Sequence, residues 1–235
     1  MKVENLKEND VSVQEVHSKN YNVDLNEALS VASQTVSTGR KTNEAREKEL
    51  SKAIDAIIKK YKLDIENAAN KYGVDKYLIA AIIYYEQQHL ARGENGKDEV
   101  LARAHVNTNT KYSSDRVSVW LGQIQVRRAI EVEGKGKDKV EPITQKEIDQ
   151  KLIDGEWQAR IDRLINPSWN IMYVAAYLKK LQNAREPEFP AIRTRPDILA
   201  TVYQNGKTDA HPNPLSSDYG KAVNKLILHV KTLMR

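Results

Sequence analysis

The chain contains no cysteine. That excludes a disulfide scaffold, a thiolate zinc site, an iron–sulfur cluster and thiol catalysis. Long apolar runs are missing too. None approaches the ~18 residues of a membrane-spanning helix, and mean hydropathy is −0.64. The opening residues, Met1 to Asp10, lack the apolar h-region of a Sec-type signal, which predicts synthesis in the cytoplasm without one. No Gly-rich phosphate loop follows a strand. The five histidines, His17, His89, His105, His211 and His229, show no metal-ligand spacing. Neither a metal nor an organic cofactor is therefore expected. The charge excess is small, with 37 Lys plus Arg against 32 Asp plus Glu, a net +5 in 235 residues. It suits an anionic polymer but falls short of the basic stripe of a nucleic-acid binder.

What is present is helical periodicity. Leu50, Ala53, Ile54, Ile57, Ile58 and Tyr61 recur at three-four spacing, and Ile65, Ala68, Ala69 and Tyr72 continue the stripe to a natural stop at Gly73. Asp75 caps a second helix with Leu78, Ile79, Ile82 and Ile83 on its apolar face. Further helices are predicted from the capping box of Thr144 and Glu147, through Trp157 to Ile165, from Ser168 to Asn183, from Pro196, and from about Ser216. No run of alternating residues argues for strands, so the predicted class is all-α or α-dominated. Residues 91–118 form a long polar loop, and 134–139 a basic surface turn. Residues 1–43 are polar and predict a mobile leader, with one short helix from Asp24 and Glu27. The expected organisation is that leader plus one domain over residues 44–235.

Glu86 is out of place in this pattern. It follows Ile82 by four residues and Ile83 by three, on the buried stripe rather than the wet face. A carboxyl held there is disfavoured as an anion, so its pKa rises toward the value of a general acid near neutral pH. The competing reading is a helix-terminal Glu turned to solvent or paired with Arg92 or Lys97.

The stretch from Ala68 through Lys71-Tyr72-Gly73-Val74-Asp75 and Leu78-Ile79 to Glu86 resembles the start of the lysozyme-like lytic transglycosylase domain, whose pattern A-x-K-Y-G-V-D-P-x-L-I-x-A-I-I-x-x-E-S delivers a catalytic Glu at a helix end. Ser118 to Gln125, with Gly122, is similar to that family's S-x-x-G-L-M-Q motif. Asn170-Ile171 with Tyr177, Leu178 and Leu181 resembles its N-I-x-x-G-x-x-Y-L-x-x-L helix, and Ala200 to Gly206 its A-x-x-Y-N-x-G segment. The likeness covers about 140 residues plus a closing helix. Departures are Gln87 for Ser, Gln123 and Ile124 for Leu and Met, Ala175 or Ala176 for Gly, and Gln204 for Asn, with Asn205 one step late.

The resemblance implies a lysozyme-like fold and cleavage of the β-1,4 bond between N-acetylmuramic acid and N-acetylglucosamine in peptidoglycan. Glu86 would be the acid, kept neutral by its helix face and by Tyr84 and Tyr85. Gln125 and Tyr203 would line the cleft, an amide holding an N-acetyl group and a hydroxyl holding the Glu. Gly122 would allow close backbone approach, with Gln123 and Asn205 alongside, and Trp120 would stack on a sugar or lie in the core. An inverting hydrolase needs a second carboxylate, for which Glu94, Asp98, Glu99 and Asp115 in the 91–118 loop are the candidates; a lytic transglycosylase needs none. The implied setting is the bacterial wall, reached by a non-Sec route as a phage lysin or an exported antibacterial effector with a cognate immunity protein. The alternatives are an inactive lysozyme-like module that binds glycan or a partner, and a plain helical adaptor.

Overall fold

The computed structural model describes residues 43–91, 118–135, 157–206 and 215–235. The expected helices from Asp24 and Thr144, most of the 134–139 turn and nearly all of the 91–118 loop lie outside them. The chain's internal packing divides it into residues 1–53 and 54–235. In the first unit the described residues begin α1 (Asn43–Lys60), which runs on into the second.

The described residues of the second unit are dominated by helix, as the periodicity predicts. Ile54, Ile57, Ile58 and Tyr61 are buried, and α2 (Lys62–Tyr72) ends where expected, at Gly73 with φ +63. There the N–H of Gly73 bonds the Ala69 carbonyl, a left-handed cap that costs glycine little. Asp75 then accepts the Tyr77 N–H at 2.8 Å to open α3 (Lys76–Ala91).

A two-stranded ribbon interrupts the helices. Ser118–Val119 (β1) and Ile124–Gln125 (β2) pair antiparallel, Ser118 opposite Gln125 and Val119 opposite Ile124. Two residues per strand are too few for an alternation to be legible in the sequence. A short helix, α4 (Val126–Ile130), follows and passes into a π-helical turn, Glu131–Lys135.

After α5 (Trp157–Ile165), Asn166 accepts the Trp169 N–H and Pro167 occupies the first turn of α6 (Pro167–Arg185). Through its middle this helix is buried nearly all round. Tyr173, Ala176 and Tyr177 are buried as completely as the expected stripe of Ile171, Val174, Ala175, Leu178 and Leu181. A helix buried on most sides is a central one, and α6 packs against α2, α5 and α7 (Pro196–Asn205). The closing helix, α8 (Asp218–Leu233), is capped by Ser217 and packs chiefly on α3 and α7. Tyr219, Val223, Ile227, Val230 and Met234 form its buried stripe. Among the described residues no helix is long and apolar enough to cross a membrane.

Candidate active site

The turn between the two short strands is tied down from three helices. Asn170, fully buried on α6, receives the Gly122 N–H at 2.9 Å. Its amide nitrogen donates to the carbonyls of Val119 at 2.9 Å and Leu164 at 2.8 Å. Tyr203, on α7, donates its hydroxyl to the Gly122 carbonyl at 2.7 Å. Gln87, on α3 and only 1 % exposed, donates to the Leu121 carbonyl at 3.0 Å. The four sequence segments that carry the resemblance are thus joined at one turn.

That turn is tight and strained. Trp120 and Gln123 hold φ of +63 and +49, a region costly for residues with a Cβ. The Gln123 N–H and its side-chain amide both donate to the Trp120 carbonyl at 2.9 Å. Gly122 is required here by packing, since a Cβ would stand 2.2 Å from Val174 Cγ2. The glycine serves the close approach of α6. Around this turn three buried polar atoms lack a partner among the described residues: Trp120 Nε1, Gln87 Oε1 and Gln123 Oε1. Native proteins pair most such atoms.

Glu86 leaves α3 from the helix interior, not from the helix end that the resemblance implies, because α3 continues to Ala91. Its side chain is half-buried. The hydroxyl that reaches it belongs to Tyr219, not Tyr203, and donates to Oε1 at 2.6 Å. Burial pushes the carboxyl up to about 7, against the opposing pull of the Tyr219 hydrogen bond and of His89 and Arg128. Burial, not the tyrosine, therefore favours the neutral acid. Both hydroxyls stay protonated donors, since burial and the nearby carboxyl hold Tyr219 and Tyr203 well above the usual phenol range.

Aromatic side chains frame the carboxyl. Tyr85 stacks on His89 with centroids 4.1 Å apart and meets Tyr219 edge-on at 4.7 Å. Tyr84, expected beside Glu86, is buried edge-on to His229 at 5.2 Å. Arg128, 5 % exposed, lies over the rings of Tyr177 and Tyr203 and donates to the Gln204 carbonyl at 2.8 Å. It brings a fixed positive charge to the site.

The other expected residues divide. Gln125 is half-buried and accepts from Arg127 Nε at 2.8 Å. Trp120 is half-buried, Gln123 is 7 % exposed, and Asn205 is exposed at the end of α7. Tyr203 is 1 % exposed, so it braces the turn instead of lining a cleft. Glu94, Asp98, Glu99 and Asp115 lie outside the described residues. Tyr219 and Arg128 escaped sequence reasoning as site residues, because a tyrosine on an apolar stripe and an arginine in a short helix carry no signal of their own. Among the described residues no cluster of His, Asp or Glu could hold a metal.

A half-buried carboxyl titrating near 7 can donate a proton and, once ionised, accept one. No protein-family model matches the chain, and no curated protein and no solved structure matches it.

Proposed function

We propose that this chain cleaves peptidoglycan glycan strands at the β-1,4 bond after N-acetylmuramic acid, on a lysozyme-like helical scaffold, with Glu86 as the proton donor. The observation that carries the reading is the pairing of a carboxyl raised to about 7 with the Tyr219 hydroxyl, beside a turn that gathers the motif residues Gly122, Asn170 and Tyr203.

The steps follow from one carboxyl. Neutral Glu86 protonates the glycosidic oxygen as the bond to C1 breaks. The resulting carboxylate then takes the proton of the sugar's own 6-hydroxyl, whose oxygen closes on C1 to give a 1,6-anhydro product. Charged groups acting on Glu86 among the described residues are His89 and Arg128; both are cationic when protonated and favour the carboxylate stage. The single-carboxylate, transglycosylase form is the one put forward. On this reading the chain works at the bacterial wall, as a phage lysin or an exported effector, and a cognate inhibitor would be its protein partner.

The test is digestion of purified peptidoglycan followed by mass spectrometry. Anhydro-muropeptides are expected, and Glu86→Gln should lower their rate of release by about 10²–10⁴-fold with helix content unchanged. Reducing ends would replace the lyase by a hydrolase. Wall binding without any product from the parent chain would leave a glycan-binding module.

A further inference from the structure

His89 does more than add charge near Glu86. It lies three residues after Glu86 on α3, so the two side chains are neighbours on one helix face, their Cβ atoms roughly 5–6 Å apart. The imidazole is close enough for its charge to act on the Glu86 carboxyl. Both residues are half-buried, so part of each stays open to solvent. A half-exposed histidine is ordinarily free to swing between rotamers. This one is held twice. Its Nδ1 lies 2.9 Å from the Tyr85 carbonyl oxygen, and its ring stacks on the Tyr85 ring with centroids 4.1 Å apart.

The bond decides which nitrogen carries the proton. A carbonyl oxygen only accepts, so Nδ1 is the N–H that donates to Tyr85. In the neutral ring Nε2 is then the acceptor. Among the described residues Nε2 has no hydrogen-bond partner. Glu86 supplies the complementary group. Its Oε1 accepts from the Tyr219 hydroxyl at 2.6 Å, which leaves Oε2 to carry the proton of the neutral acid. One side of α3 thus presents a donor, Glu86 Oε2–H, beside an acceptor, His89 Nε2, and the acceptor's ring is already fixed in place.

We propose that His89 is a substrate-contacting residue of the Glu86 site, its Nε2 accepting a hydrogen bond from a hydroxyl or acetamido N–H of the sugar whose glycosidic oxygen faces Glu86. This contact rests on the glycan-cleavage reading of Glu86. A glycosidic oxygen is an acceptor, and the sugar carries O–H and N–H donors a few bonds from it. That is the complement of the pair on α3. An apolar ligand offers no such donor, and an anion would set its own lone pairs against that of Nε2. Because the ring is held before the sugar arrives, little side-chain freedom is lost on binding. His89 transfers no proton in this role. It holds the substrate while Glu86 carries out the proton steps.

The test is muropeptide release by the full chain over a range of purified peptidoglycan concentrations. It compares the parent with two variants that keep Glu86. His89→Phe retains a ring that can stack on Tyr85 and removes both nitrogens. His89→Gln returns an amide oxygen as acceptor. His89→Phe should raise the half-saturating peptidoglycan concentration about tenfold with the maximal rate little changed, the pattern of a contact made equally before and during the reaction. His89→Gln should recover most of that loss, which a purely structural role of the ring would not allow. Circular dichroism of both variants should match the parent. Three outcomes would overturn the contact and leave the reading of Glu86 standing: a His89→Phe chain that saturates like the parent, equal losses in both variants, or a fall in maximal rate at unchanged half-saturation. No muropeptides from the parent would remove that reading and the contact together.

Discussion

Tyr219 and burial act on Glu86 in opposite directions. Burial raises the carboxyl to about 7, and the tyrosine's donated hydrogen bond favours the anion. Removing only the hydroxyl should therefore raise the acid's pKa further. If the chain cleaves glycan as proposed, with Glu86 protonated to start the reaction, cleavage by the parent falls as pH rises through about 7. In Tyr219→Phe that alkaline limb should move to higher pH, while the lost bond slackens the carboxyl and lowers the maximal rate. A pH profile of muropeptide release reads both effects. A limb that stays put would mean that the hydroxyl is not the group setting the acid's strength.

At the level of elements, the site depends on how closely α8 approaches α7. Gly220 makes that approach. A Cβ there would stand 2.1 Å from the Asp197 carbonyl oxygen and 2.2 Å from Thr201 Oγ1. Thr201 is itself bonded to Ser217, the cap of α8, at 3.0 and 3.1 Å. Gly220→Ala must push the start of α8 off α7, and Tyr219 sits next to it in the chain. An overpacked contact of this kind costs about 1–3 kcal/mol, and the shift should weaken the bond to Glu86. The expected outcome is a lower melting temperature together with a loss of cleavage larger than the stability loss explains, checked by thermal unfolding and muropeptide release on one preparation. Intact activity would show that α8 can recede without moving Tyr219.

At the scale of the whole molecule, two glutamates, Glu86 half-buried and Glu133 buried, tilt stability in opposite pH ranges. Glu86 has a folded-state pKa above its ordinary 4.5, so it binds its proton more tightly when folded. Its contribution is complete below about pH 4.5 and is lost as pH rises through about 7. Glu133 is the reverse. Burial pushes it up, but the bonds from Arg160 at 2.8 and 2.6 Å, from Tyr173 at 2.5 Å and from Arg163 at 3.1 Å outweigh that and hold it low. Its contribution is present above the ordinary carboxylate range and lost as acid protonates it. Glu86→Gln should therefore match the parent's melting temperature near pH 4 and exceed it at pH 8, by a stabilisation on the order of 2–3 kcal/mol. Equal melting temperatures at both values would mean that Glu86 titrates normally.

Local order was legible from the chain alone. Helix faces from Ile54 onward, the stop at Gly73, the start at Pro196 and the inward placement of Glu86 follow from side-chain spacing and caps, which act within a turn or two of backbone. The two-residue strands were too short to leave a period, and α6 looked one-sided although tertiary contacts surround it. What Glu86 meets on the inside was decided only by tertiary structure. Its partner Tyr219 is 133 residues away, and periodicity states that a side chain points inward without stating what waits there. The same holds for Gly122, whose motif position was visible but whose reason, the Val174 side chain across the turn, was not. Sequence sets the local conformations because their energies are local. The strength of the acid, set by burial and by groups brought from distant parts of the chain, exists only once the helices have packed.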